Sequence, residues 1–168
     1  MAKKTSPTAE STVQETGVLL DKKDLEILKL LQENARMPVK EIAESIHLSP
    51  TPVHERIRRM ENSGVIKQYA ALLDPQKLNK GMMVLCYVSL KQHDKKAGLK
   101  FIQAINALHE VIECYSISGE FDFMLKVMAK DMVGFYDFHV NKLSQVENLG
   151  HVQSIFVMGV IKETHLLL

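Results

Sequence analysis

An α+β fold in two parts is predicted for this chain of 168 residues, on three observations. Up to about Lys80 the apolar residues recur at helical spacing. From Gly81 the period changes, and stretches alternating at every second residue are interleaved with two more helical patterns. In addition, two prolines and three arginines crowd into Pro50–Arg59, at the front of an otherwise helical stretch.

The first helix is expected after Asp21, an N-cap, with Leu25, Ile27, Leu28 and Leu31 on its apolar side. The second spans Pro38–Ile46, where Val39, Ile42, Ala43 and Ile46 share one face; the small Ala43 suits a close helix crossing. Only His47 and Leu48 separate it from Ser49, the cap of a third helix of about 14 residues. Pro50 and Pro52 fall in its first turn, where proline is tolerated because those N–H groups lack intrahelical partners. Pro52 has no N–H to give the Ser49 hydroxyl, which leaves Thr51 as its donor. Val53, Ile57 and Met60 form a narrow buried stripe, and His54, Glu55, Arg58 and Arg59 lie off it. Gly64 suits a left-handed stop. Two short helices joined by so tight a turn form a helix-turn-helix, whose second helix reads the DNA major groove. The same spacing also describes a plain three-helix bundle with solvated arginines. Val65–Asp74 is β-prone, either a small wing or a connecting strand.

In the second half, Gly81–Lys91 is a strand with Met82, Val84, Cys86, Val88 and Leu90 on one face. Lys96–Leu108 is a helix through Phe101, Ile102, Ile105 and Leu108. Val111–Ser118 and Phe123–Ala129 are strands joined by Gly119–Asp122. Met132–Leu143 is a helix on Met132, Phe135, Tyr136, His139 and Leu143, and His151–Lys162 is the last strand. The order β-α-β-β-α-β defines a ferredoxin-like unit, with both helices on one face of an antiparallel sheet. Either alternating set of the last strand is largely apolar, so the uncovered face is expected to pack on a second copy of the chain. The fold class is therefore α+β: a (winged) helix-turn-helix domain followed by a ferredoxin-like βαββαβ effector and oligomerisation domain.

Residues 1–17 are polar, without a signal-peptide hydrophobic region, and read as a disordered tail. Residues 18–64 form the helix-turn-helix domain, 65–80 a connecting strand or linker, and 81–168 the ligand-binding and dimerisation domain. Hydrophobic content of 46% is enough for a core, and a net charge of +1 argues against a polycation. Residues 18–80 carry 11 Lys+Arg against 9 Asp+Glu, so the cations matter through their clustering at Arg56–Arg59. Apolar runs fall far short of the roughly 18 residues of a membrane span. Cys86 and Cys114 form no CxxC pattern and read as reduced thiols of a cytoplasmic protein. The seven histidines show no metal-ligand spacing.

LDKKDLEILKLLQENARMPVKEIAESIHLSPTPVHERIRRMENSGVIKQYAALLD and ISGEFDFMLKVMAKD, in that order, resemble the Lrp/AsnC family of leucine-responsive, or feast/famine, transcriptional regulators. The resemblance covers about Leu20–Lys162. It departs in His47, where the family usually has glycine in the turn, and in Glu120 and Ser154, where aspartate and threonine are commoner.

The resemblance implies a cytoplasmic, nucleoid-associated regulator of transcription that binds double-stranded DNA. It also implies a homodimer built by sheet contact, often assembled into an octamer, and an amino-acid effector held between C-terminal domains. The DNA-binding residues implied are Ser49, Thr51, Pro52, His54, Glu55, Arg58, Arg59 and, unless an acid of its own domain pairs with it, Arg56. The effector-binding residues implied are Ser118, Gly119, Glu120, Asp122 and Ser154. An amino acid is a zwitterion, so Asp122 or Glu120 would accept from its ammonium and N–H groups around Gly119 would donate to its carboxylate. The bland alternative is a hairpin turn with an exposed acidic pair. His139 and Tyr136 read as core or interface. No cofactor, metal or catalytic residue is implied. Two other functions share the outline: a tetrapyrrole (sirohaem) decarboxylase-like enzyme, which has no need of a basic helix face, and a low-specificity architectural DNA-binding protein.

Overall fold

The computed structural model describes residues 19–168; the tail expected at residues 1–17 lies outside them. The chain divides into two compact units, one running to Ala71 and including Thr164–Leu168, the other Leu72–Glu163.

The first unit holds three helices, α1 (Lys22–Glu33), α2 (Val39–Ser45) and α3 (Pro50–Asn62). Asp21 caps α1 through a full capping box: its side chain accepts the Asp24 N–H, and Asp24 accepts the Asp21 N–H. The core is Ile27, Ile42, Ala43, Ile46, Val53, Ile57 and Met60, so the expected α3 stripe is the buried one. On α1 the inward stripe differs from the expectation. Asp24 occupies the position one turn before Ile27 and is fully buried, which rotates Leu25 out to 36% exposure.

The turn between α2 and α3 is a Schellman motif. The Leu48 N–H donates to the Ala43 carbonyl at 2.9 Å and the His47 N–H to Glu44 at 3.3 Å. This geometry puts His47 at φ 56, the left-handed region that favours glycine. Ser49 is the N-cap of α3, but its side chain makes no cap hydrogen bond, contrary to the Thr51 donor expected. Gly64, at φ 74, follows the last turn. Val65 and Ile66 pack on the core, and 67–74 carries neither helix nor strand.

The second unit is β1 (Met82–Leu90), α4 (Lys95–Asn106), β2 (Val111–Ser116), β3 (Phe123–Ala129), α5 (Met132–Asn141) and β4 (Leu149–Phe156). Its sheet runs β2-β3-β1-β4 with every pairing antiparallel, the ferredoxin-like order. Val84, Cys86, Val88 and Leu90 meet Phe101, Ile105, Leu125, Phe138 and Leu143 in one core. Burial pushes the Cys86 thiol pKa up despite its contact with Ser154.

Two expectations need correction here. Helix α5 buries Phe135 and Phe138, while Met132 and Tyr136 face outward; the helix is apolar on both sides, so its period did not select a face. Strand β4 ends at Phe156 rather than Lys162. Beyond it Val157 bonds the Met83 carbonyl, and Met158 and Ile161 are fully exposed. Away from the helices the sheet presents Leu85, Tyr87, Met124, Tyr115 and Ile155, with the Lys126–Glu113 ion pair (3.0 Å) among them.

Candidate nucleic-acid interface and effector loop

The Schellman turn projects the start of α3 outward. Ser49, Thr51, His54, Glu55 and Arg58 are exposed and Pro52 is half-buried. The three arginines differ in their surroundings. Arg56 Nη1 donates to Asp21 Oδ2 at 2.6 Å and to Asp24 Oδ1 at 2.8 Å, and Arg59 Nη2 donates to Asp24 Oδ2. Arg58 makes no hydrogen bond or ion pair among the described residues. The sequence left Arg56 open between DNA and an acid of its own domain, and the acid has it. Arg59, expected to be free, is also engaged.

The electrostatics agree. The Arg56 hydrogen bond, followed by the Asp24 N–H, holds the Asp21 carboxyl below the usual carboxylate range. Burial opposes charge on Asp24, but the Asp21 N–H and the Arg56 and Arg59 guanidiniums outweigh it, and its pKa is also lowered. Hydrogen bonds to Asp21 and then Asp24 raise the pKa of Arg56. Asp21 was legible as a cap, Asp24 was not singled out, and neither acid was named as an arginine partner. The signal for Asp24 was its place three residues before Ile27, on the buried stripe.

In the second unit Ser118, Gly119 and Glu120 lie exposed in one loop, with Gly119 at φ 123. Among the described residues the N–H groups of Gly119 and Glu120 make no hydrogen bond. Asp122 turns inward instead. Its Oδ2 accepts the Leu90 N–H at 2.7 Å, its Oδ1 lies 3.2 Å from His93 Nδ1, and its own N–H donates to the Val88 carbonyl. This is more than the exposed acidic turn of the bland alternative: Asp122 ties the loop to the end of β1. Ser154 is not brought to the loop. It pairs with Cys86 in the middle of the sheet, its hydroxyl 3.7 Å from the thiol. His93 and a ring cluster beside the loop, in which Phe121 stacks on His151 and lies tilted against Tyr87, were missed, since no spacing in the sequence links them.

Residues 20–67 match a family described as winged helix-turn-helix DNA-binding, and residues 83–167 one described as the Lrp/AsnC ligand binding domain. The proline dehydrogenase transcriptional activator of Rhodobacter capsulatus is 39% identical over 147 residues, covering 86% of this chain and 94% of that protein. The DNA-binding transcriptional activator DecR of Escherichia coli K12 is 30% identical over 146 residues, covering 87% and 96%. Among solved structures, a transcriptional regulator of Neisseria meningitidis in complex with L-Met aligns with a TM-score of 0.83 at 36% identity, covering 88% of this chain and 95% of that one.

Proposed function

Since the chain belongs to the Lrp/AsnC family of transcriptional regulators, we propose that α3 is its recognition helix and that the loop Ser118–Asp122 is part of an amino-acid effector site. The chain is a DNA-binding transcriptional regulator with an N-terminal helix-turn-helix domain and a C-terminal ligand-binding domain.

The observation that carries the recognition-helix reading is the exposed start of α3 after the Schellman turn. Ser49, Thr51, Pro52, His54 and Glu55 are the residues nearest base edges when such a helix enters the major groove, and Arg58 is the cation that reaches a phosphate or a guanine edge. Arg58→Ala in the full chain tests it. A lost phosphate contact lowers the salt slope by about one unit, and a lost guanine contact costs about 1–3 kcal/mol and relaxes sequence preference. Unchanged binding by a normally folded variant refutes the assignment.

For the effector, the unbonded N–H groups of Gly119 and Glu120 suit a carboxylate, and Glu120 is the freer acid for an ammonium, because Asp122 already serves Leu90. The L-Met bound to the Neisseria regulator supports the amino-acid class. Calorimetry against the twenty amino acids tests it; binding of none refutes the site. Self-association, as a homodimer or a higher oligomer such as an octamer, is supported by the apolar sheet face and by Met158 and Ile161 standing fully exposed after β4. Sedimentation of a folded monomer at micromolar concentration overturns that. We read the chain as non-catalytic and as acting in the cytoplasm on the nucleoid.

A further inference from the structure

The recognition helix carries three arginines, yet two of them are already neutralised from inside the protein. Arg56 and Arg59 converge on Asp24, a side chain with no solvent exposure, and Arg56 also reaches Asp21. Two guanidiniums against two carboxylates leave no net charge on the cluster. The first turn of α1 holds the other half of the motif too. Lys23 Nζ donates at 2.9 Å to the carbonyl of Ile46, the residue before the strained His47. One helical turn therefore grips the end of α2 and the middle of α3.

We infer that Asp24, assisted by Asp21, is a positioning residue that sets DNA specificity by withholding Arg56 and Arg59 from the phosphate backbone. A DNA phosphate and a carboxylate compete for the same guanidinium with similar geometry. Here the carboxylate wins, because taking both arginines away would strand a buried, uncompensated charge. The helix then meets DNA with Arg58 as the one α3 arginine lacking an acidic partner among the described residues, beside the uncharged Thr51 and Pro52. In a loosely held non-specific complex a free guanidinium takes whichever phosphate is nearest, whereas base contacts fix the specific complex in one register and leave fewer phosphates within its reach. Restraining two of three arginines lowers indiscriminate affinity more than affinity for the right site, so the ratio between the two rises. This inference rests on the reading of α3 as the recognition helix.

The readout is the salt dependence of binding, which a purely structural role would not steepen. Full-length protein is titrated by fluorescence anisotropy against a duplex selected in vitro with the same protein, and against that duplex scrambled, over a range of KCl. Asp24→Asn keeps the shape and the capping oxygen but frees Arg59, while Arg56 keeps Asp21 as its partner. Its slope on the scrambled duplex should steepen by about 0.9 per arginine freed, and affinity there should rise roughly tenfold per arginine near 0.1 M salt. Affinity for the selected duplex should rise less, so the specificity ratio falls. If Asp24→Asn does not fold, Arg56→Gln decides. It should leave the wild-type slope where it is, while Arg58→Gln lowers it by about 0.9. Parallel weakening on both duplexes in a folded Asp24→Asn, or an Arg56→Gln slope as low as that of Arg58→Gln, overturns this inference and leaves the recognition helix standing. Arg58→Gln without effect on either duplex overturns both.

Discussion

Asp122 offers the sharpest test of how the effector loop is built, because its expected partner was a ligand and its observed partner is the protein. Leu90 is almost fully buried, and its N–H donates to Asp122 Oδ2 at 2.7 Å. Replacing Asp122 with alanine leaves that donor without an acceptor, at about 1–3 kcal/mol, and forfeits a charge-assisted bond of similar size. These overlap, so we expect a loss of about 2–3 kcal/mol. Asp122→Asn keeps an oxygen for Leu90 and loses only the charge, for about 1 kcal/mol. In a unit of this size each kcal/mol moves the midpoint by about 4–8 °C, so thermal melts should rank wild type above Asn, and Asn above Ala. Amide hydrogen exchange localises the effect: the Leu90 N–H should lose protection in the alanine variant before the β1–β3 ladder does. If Asp122→Ala melts like wild type and Leu90 stays protected, the anchoring role is wrong. The pair also separates two routes to effector loss. If Asp122 meets a ligand ammonium as well, asparagine alone should lower affinity roughly 10- to 100-fold. If it only holds the loop, affinity should survive asparagine and fall with alanine.

Three further outcomes follow from particular residues. His47→Gly should stabilise the first unit by about 0.5–1 kcal/mol in urea melts, since relief of the left-handed strain exceeds glycine's extra unfolded-state entropy; destabilisation would mean that the imidazole contributes a contact. The lowered pKa values of Asp21 and Asp24 give stability that is present above the ordinary carboxylate pKa and is lost as pH falls through the lower folded values. Melting of the first unit should therefore be flat from neutral pH to about 5 and drop below about 4, with a shallower drop in Asp24→Asn. Gly150→Ala would set its Cβ 2.7 Å from the Ser89 carbonyl oxygen, beside the register shift between β1 and β4. A loss of about 1–3 kcal/mol by circular dichroism melts is expected, and wild-type stability would show that the strands part easily there.

What the sequence by itself determined was whatever depends on neighbours along the chain. The Val53/Ile57/Met60 stripe, the Asp21 cap, the tight turn at His47 and Leu48 and the alternation of β1 are set by periods of a few residues and by hydrogen bonds spanning three or four. The order of elements, with the Lrp/AsnC resemblance, then gave the architecture. Tertiary structure decided which functional groups are free. Asp24 meets Arg56 across 32 residues and Arg59 across 35, and Asp122 reaches Leu90 across 32. By type and spacing alone Asp122 looked ligand-facing or exposed, and Asp24 was not singled out at all. Tertiary structure likewise decided the place of Ser154, drawn to Cys86 by the register of β4, and the buried face of α5, whose two apolar sides gave the period nothing to choose between. A charge acts over a few ångströms, and which groups lie within that reach is fixed by the crossing of helices and the register of strands, quantities that no local pattern in the chain encodes.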